Sequence, residues 1–150
     1  MRPPRRRGRR ALASLAVAAS LAAAGLPTIA YSAPPCETPR GFSAQKRLES
    51  PDAVVLYRTI PPAIEVGQHF AVEAVVCPTP SDGAASGLRV DARMPEHRHG
   101  MNYRARVVKK GDGLYLAEGL LFHMPGLWQL MFDVERGGRT ERLMTDIDLE

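Results

Sequence analysis

The stretch Leu88-Arg89-Val90-Asp91-Ala92-Arg93-Met94 alternates apolar and charged residues without a break. Leu88, Val90, Ala92 and Met94 share one side of an extended chain and Arg89, Asp91 and Arg93 the other, the pattern of a strand with one face buried and one in water. A helix would spread the same charges around its whole circumference. The period of two recurs in Gln68 to Val76, where Phe70, Val72, Ala74 and Val76 share a face. It recurs again in Leu127 to Glu135 (Trp128, Leu130, Phe132, Val134) and in Thr140 to Leu149 (Leu143, Thr145, Ile147, Leu149). Val54 to Arg58, Tyr103 to Lys109 and Leu114 to Phe122 are further extended runs.

Between the runs lie turn residues. Thr59 to Gly67 is a Pro-containing connection, Cys77 to Gly87 a Pro/Ser/Gly loop, and Lys110-Gly111-Asp112-Gly113, His123-Met124-Pro125-Gly126 and Arg136-Gly137-Gly138-Arg139 are turns. No segment after Pro34 sustains a helical period. Seven short strands over roughly a hundred residues predict an all-β fold, an immunoglobulin-like antiparallel β-sandwich, with a small barrel as the alternative.

The first 33 residues follow another logic. Six arginines stand in the first ten positions, an Ala-rich apolar run follows from Ala11 to Leu26, and small residues fill Thr28 to Ala33 after Pro27. This is the three-part layout of a secretory signal peptide cut near Ala30 to Ala33, and it predicts a periplasmic product. Arg9-Arg10 leaves open twin-arginine or general export. The run is shorter than the ~20 apolar residues of a spanning helix, so no stable membrane anchor is expected after processing, an uncleaved N-terminal anchor being the alternative. Pro35 ahead of Cys36 argues against a lipoprotein site. Residues 34–52 read as an extended lead-in, broken by Pro34, Pro35, Pro39, Gly41 and Pro51, and residues 53–150 as the domain.

The leader also explains the charge. The whole chain is formally +4, but without those six arginines Lys+Arg falls from 20 to 14 against 16 Asp+Glu, which gives −2. A domain so balanced has no basic face for phosphates, and a nucleic-acid partner is not expected. Two cysteines, Cys36 and Cys77, remain in the exported chain. An even count in an oxidising compartment predicts one disulfide; a pair of copper thiolates is the rival.

Chemistry concentrates in Met94-Pro95-Glu96-His97-Arg98-His99-Gly100-Met101-Asn102-Tyr103, which holds two of the four histidines and two of the six methionines. Imidazole suits copper in either oxidation state and thioether favours Cu(I), so the mixture points to copper before zinc. Consecutive antiparallel strands reverse poles at every connection. On that count His69, His97, His99 and His123 fall at one pole with Met94, Met101 and Met124, and the cysteines at the other. His97, His99 and Met101 share parity in an extended loop, with Gly100 allowing a bend. The candidate nitrogen ligands are His97, His99 and His123, with sulfur from Met101 or Met124. Met94 ends an apolar face and is a core residue or a ligand, His69 has the look of a solvated histidine, and Trp128 that of a core anchor.

MPEHRHGMNY followed by GDGLYLAEGLLFHMPGLWQLMFDV resembles the YtkA-like/FixH-like domain, with its His/Met loop after one strand and a later G-x-Y … F-x-M-x-G-x-W stretch. The likeness spans about Ala53 to Leu149. It implies an immunoglobulin-like sandwich of the bacterial cell envelope, engaged in copper handling or in assembly of a copper-containing respiratory oxidase. Its motif positions here are His97, His99, Met101, His123 and Met124. FixH itself is membrane-anchored, whereas this leader has a cleavable layout, and the H-x-M spacing of periplasmic Cu(I) chaperones is absent.

Two functions of different class follow. One is a periplasmic copper-binding protein that delivers or sequesters Cu(I)/Cu(II); the other is a metal-free envelope interaction module in which the same loops bind a partner protein through an adaptable methionine patch. An enzyme is not expected, since no Ser/His/Asp set, phosphate loop or base-adjacent cysteine stands out.

Overall fold

Alternation makes the strands, and Gly-rich turns join them into hairpins. The computed structural model describes residues 36–79 and 83–150, and the stretch read as a signal peptide lies outside the described residues. Among the described residues nine strands form: β1 Lys46–Glu49, β2 Val54–Ile60, β3 His69–Val76, β4 Gly87–Met94, β5 His99–Gly100, β6 Arg106–Lys109, β7 Leu114–Leu121, β8 Gly126–Arg136 and β9 Arg139–Leu149. They build two antiparallel sheets, ordered β1-β2-β3-β7-β6 and β5-β4-β8-β9. Without β1 and β5 these are the ABED and CFG sheets of an immunoglobulin constant-type sandwich, and β5 occupies the extra C′ position beside strand C.

Apolar faces of the two sheets meet in one core. Val55, Tyr57, Phe70, Val72, Ala74, Tyr115 and Ala117 come from the first sheet, and Val90, Ala92, Met94, Trp128, Leu130, Phe132 and Val134 from the second. Tyr57 and Phe132 bridge the layers with ring centres 4.9 Å apart. The expectation of one disulfide holds: Cys36 and Cys77 are bonded, tying the lead-in to the end of β3.

Two of the strands depart from the sequence reading. The lead-in is not wholly irregular, because Ser50 and Ala53 close a tight turn (Ser50 N to Ala53 O, 2.8 Å) that folds Lys46–Glu49 back onto β2. Only Leu48 in that strand packs on the core, so no alternation marked it. β5, the other addition, is only two residues long and falls within the His/Met loop.

A break in parity also escaped the sequence. β3 and β7 slip register between Phe70/Val72, opposite Gly119, whose φ of +82° suits a bulge that glycine accepts without strain. Tyr115 and Ala117 point inward before the bulge, and Leu120 and Phe122 after it. The phase change buries Phe122 and sets the position of His123 at the end of the sandwich.

Candidate metal centre

The site is assembled from two hairpins at the pole where β4 ends and β8 begins. In the first, β4 turns through Pro95–Arg98 into β5, with Met94 opposite His99 and Arg93 opposite Gly100. The positive φ (55°) falls on Arg98. Gly100 was expected to bend the backbone; it is paired strand instead, and a Cβ there would stand 3.1 Å from the Ala92 carbonyl oxygen. Its role is close approach. Met101 N–H donates to that same oxygen at 3.2 Å, which holds Met101 beside the core.

The second hairpin is pinned by Trp128. Its indole is fully buried, stacks on Phe122 (ring centres 4.5 Å, interplanar angle 8°), and donates from Nε1 to the Met124 carbonyl at 3.0 Å. Gly126 opens β8 with φ +116° and leaves room for Met94, whose Cε would lie 3.0 Å from a Cβ added there. Met94, weighed as a ligand or core, is 1% exposed and belongs to the core.

These constraints bring three of the four histidines together. His99 lies 5.9 Å from His97 and 5.1 Å from His123, ring centre to ring centre. His99 and His123 both stand edge-to-face with Trp128, at 6.0 and 5.4 Å. Two imidazoles bound to one ion through nitrogens at about 2.0 Å and a tetrahedral angle have ring centres about 5 Å apart, a separation that His99 and His123 match and His97 exceeds. Met101 and Met124 are partly buried against the same core. His69 is exposed, pairs with Leu121 and has Tyr103 as ring neighbour at 6.3 Å.

Polar bookkeeping separates the rings. His99 Nδ1 lies 3.1 Å from the Gly100 carbonyl oxygen, and since a carbonyl only accepts, Nδ1 is the donor and Nε2 is the nitrogen with a lone pair in the neutral ring. That is the orientation a ligating histidine uses. His123 Nδ1 is buried with no hydrogen-bond partner among the described residues. A buried unpaired nitrogen costs about 1–3 kcal/mol, and each one in a native fold calls for an explanation, of which a bound ion is one. As they stand, no three His, Cys, Asp or Glu side chains among the described residues are arranged to hold a metal ion. A complete donor set therefore has to draw on thioether sulfur or on a shift of the exposed His97.

No family model matches the chain, and no curated protein does. A DUF4426 family protein of Pseudomonas aeruginosa, known from a crystal structure, is similar at 13% identity over 71% of this chain and 99% of its own, with a TM-score of 0.45. Among the described residues no helix is long and apolar enough to cross a membrane.

Trp128 and Phe122 are the parts of the site that sequence reading assigned only to structure. Their signal was present in F-x-M-x-G-x-W, where two aromatic residues bracket His123 and Met124, but stacking across a turn is a tertiary fact.

Proposed function

We propose that this chain is an exported, periplasmic copper-binding protein that holds Cu(I) or Cu(II) through His97, His99 and His123, with Met101 or Met124 supplying sulfur to Cu(I), for delivery or sequestration. The observation that carries this reading is the buried, unpartnered Nδ1 of His123, 5.1 Å ring to ring from a histidine whose tautomer leaves Nε2 free. A bound ion would give that unpartnered nitrogen its partner. The disulfide supports an oxidising compartment, in keeping with the secretory layout of the leader. Membership of the YtkA-like/FixH-like family, and a copper-containing oxidase or another envelope protein as recipient, belong to the same proposal.

The test is an anaerobic Cu(I) titration against a competing chelator, repeated with Cu(II) while following emission of Trp128, the single tryptophan. One-to-one binding with Cu(II) quenching is expected, and loss of both in His97→Ala/His99→Ala with the fold retained. Stoichiometric binding by that double variant would refute the assignment. Tyr103, 59% exposed at the same pole, favours the second reading of a metal-free module whose loops contact a partner. A melting temperature unmoved by excess copper would decide for it.

A further inference from the structure

Among the described residues, three of the four sheet margins in this sandwich are guarded. β1 has four residues including Lys46 and Arg47, β6 has four bounded by Arg106 and Lys109, and β5 has two. Short edges bearing basic side chains discourage edge-to-edge pairing. β9 is different. It runs for 11 residues in unbroken register with β8, with neither Pro nor bulge, its basic residues being Arg139 and Arg142. Among the described residues, no backbone group outside β8 bonds to Thr140–Leu149.

The exposed face of β9 carries Thr140, Arg142, Met144, Asp146 and Asp148. Met144, 46% exposed, is one of three large hydrophobic residues left in water among the described residues. Across the sheet Arg89 faces Asp133, and Asp133 faces Arg142, whose Nε and Nη2 donate to the carboxylate at 2.6 and 2.8 Å. Four residues along, Asp146 lies beside Gln129, itself bonded to Arg93 at 3.0 Å, and makes no ion pair among the described residues.

We propose that β9 is a self-association edge, pairing antiparallel with β9 of a second copy of this chain about a two-fold axis through Met144. The two four-stranded sheets become one continuous sheet. In this register Arg142 faces Asp146 of the second copy, twice by symmetry, and the row Arg89, Asp133, Arg142 continues in alternating charge into Asp146 of the second copy. Met131 and Met144 are cross-strand neighbours, so four thioethers line up across the axis as an adaptable apolar seam. Neighbouring registers are poorer. An axis at Arg142 or Asp146 opposes like charges, one at Leu143 sets Arg142 against Met144, and one at Thr145 sets Asp146 against Met144. A single register satisfies both the ion pairs and the methionines.

Sedimentation velocity over a concentration series, on the full chain secreted through its own leader, tests this. A monomer–dimer equilibrium is expected. Asp146→Arg turns both attractive pairs repulsive and raises the dimer Kd by about tenfold or more, while Asp146→Glu keeps it. Met144→Cys, the only free thiol in that variant, oxidises to a covalent dimer, because facing residues of an antiparallel pair lie within disulfide reach. Thr140→Cys does so far more slowly. Circular dichroism verifies that each surface variant is folded. A monomer at every concentration, with Met144→Cys linking no faster than Thr140→Cys, would overturn the proposal, and so would a dimer indifferent to Asp146→Arg.

Discussion

Replacing His123 by leucine tests the central inference, because it removes the orphaned nitrogen while keeping a side chain of similar volume. Two terms oppose each other without copper. Deleting a buried unpaired nitrogen recovers about 1–3 kcal/mol. Losing the edge-on contact with Trp128 at 5.4 Å and the contact with His99 at 5.1 Å costs about 0.5–1.5 kcal/mol. The expected net is a gain of about 1 kcal/mol, which raises the melting temperature of a domain this size by about 4 °C. Copper reverses the order. At a free concentration of about 100 times Kd it adds about 2.7 kcal/mol to the wild type and nothing to a variant that does not bind. Calorimetry of both proteins, with chelator and then with copper, should show the variant melting higher in the first case and the wild type in the second. A variant that melts lower than the wild type in chelator would mean that Nδ1 is satisfied in the free protein. One that still gains stability from copper would show that His123 is not a ligand.

Other outcomes follow from single contacts. Cys36→Ser/Cys77→Ser opens a link across a sequence separation of 41 and should cost about 4 kcal/mol on the chain-entropy account, read as a fall in urea midpoint with a slope that rises as the unfolded chain expands. Arg98→Gly should stabilise the first hairpin by about 1 kcal/mol, since glycine adopts a φ of 55° freely, and should leave copper stoichiometry unchanged. The Arg142 guanidinium hydrogen-bonded to Asp133 holds that carboxyl below the usual carboxylate range despite its burial. Because the folded-state value is the lower one, the stabilisation is present above the unfolded carboxylate range and is lost as pH falls through the folded value. Wild type should therefore lose more stability than Asp133→Asn in denaturation series run below about pH 4; parallel losses would refute the coupling.

Much of this architecture could be read from the chain. Leu88 to Met94 was legible because every inward position is apolar and every outward one charged, and Trp128 to Val134 repeats the rule. Counting pole reversals placed the histidines at one end, and the structure brings His97, His99 and His123 into ring contact there while His69 sits against Tyr103. β1 was illegible because a strand with one inward apolar residue has no period to detect. The bulge at Gly119 was missed for a related reason: it inserts one residue without changing composition. The assignment of the bend to Gly100 failed because glycine answers both to turning and to close approach, and only the position of the Ala92 carbonyl distinguishes them.

The sequence by itself pointed to the class of fold, favoured the pairing of its two cysteines, and gathered imidazole and thioether near one pole, since these rest on side-chain period, count and chain reversal. Tertiary structure alone decided that Met94 belongs to the core, that the Phe122–Trp128 stack seats His123, that the nitrogen of His123 is left without a partner, and that β9 keeps an open edge. Burial, hydrogen-bond satisfaction and strand adjacency are relations among distant segments, and no local stretch of sequence records them.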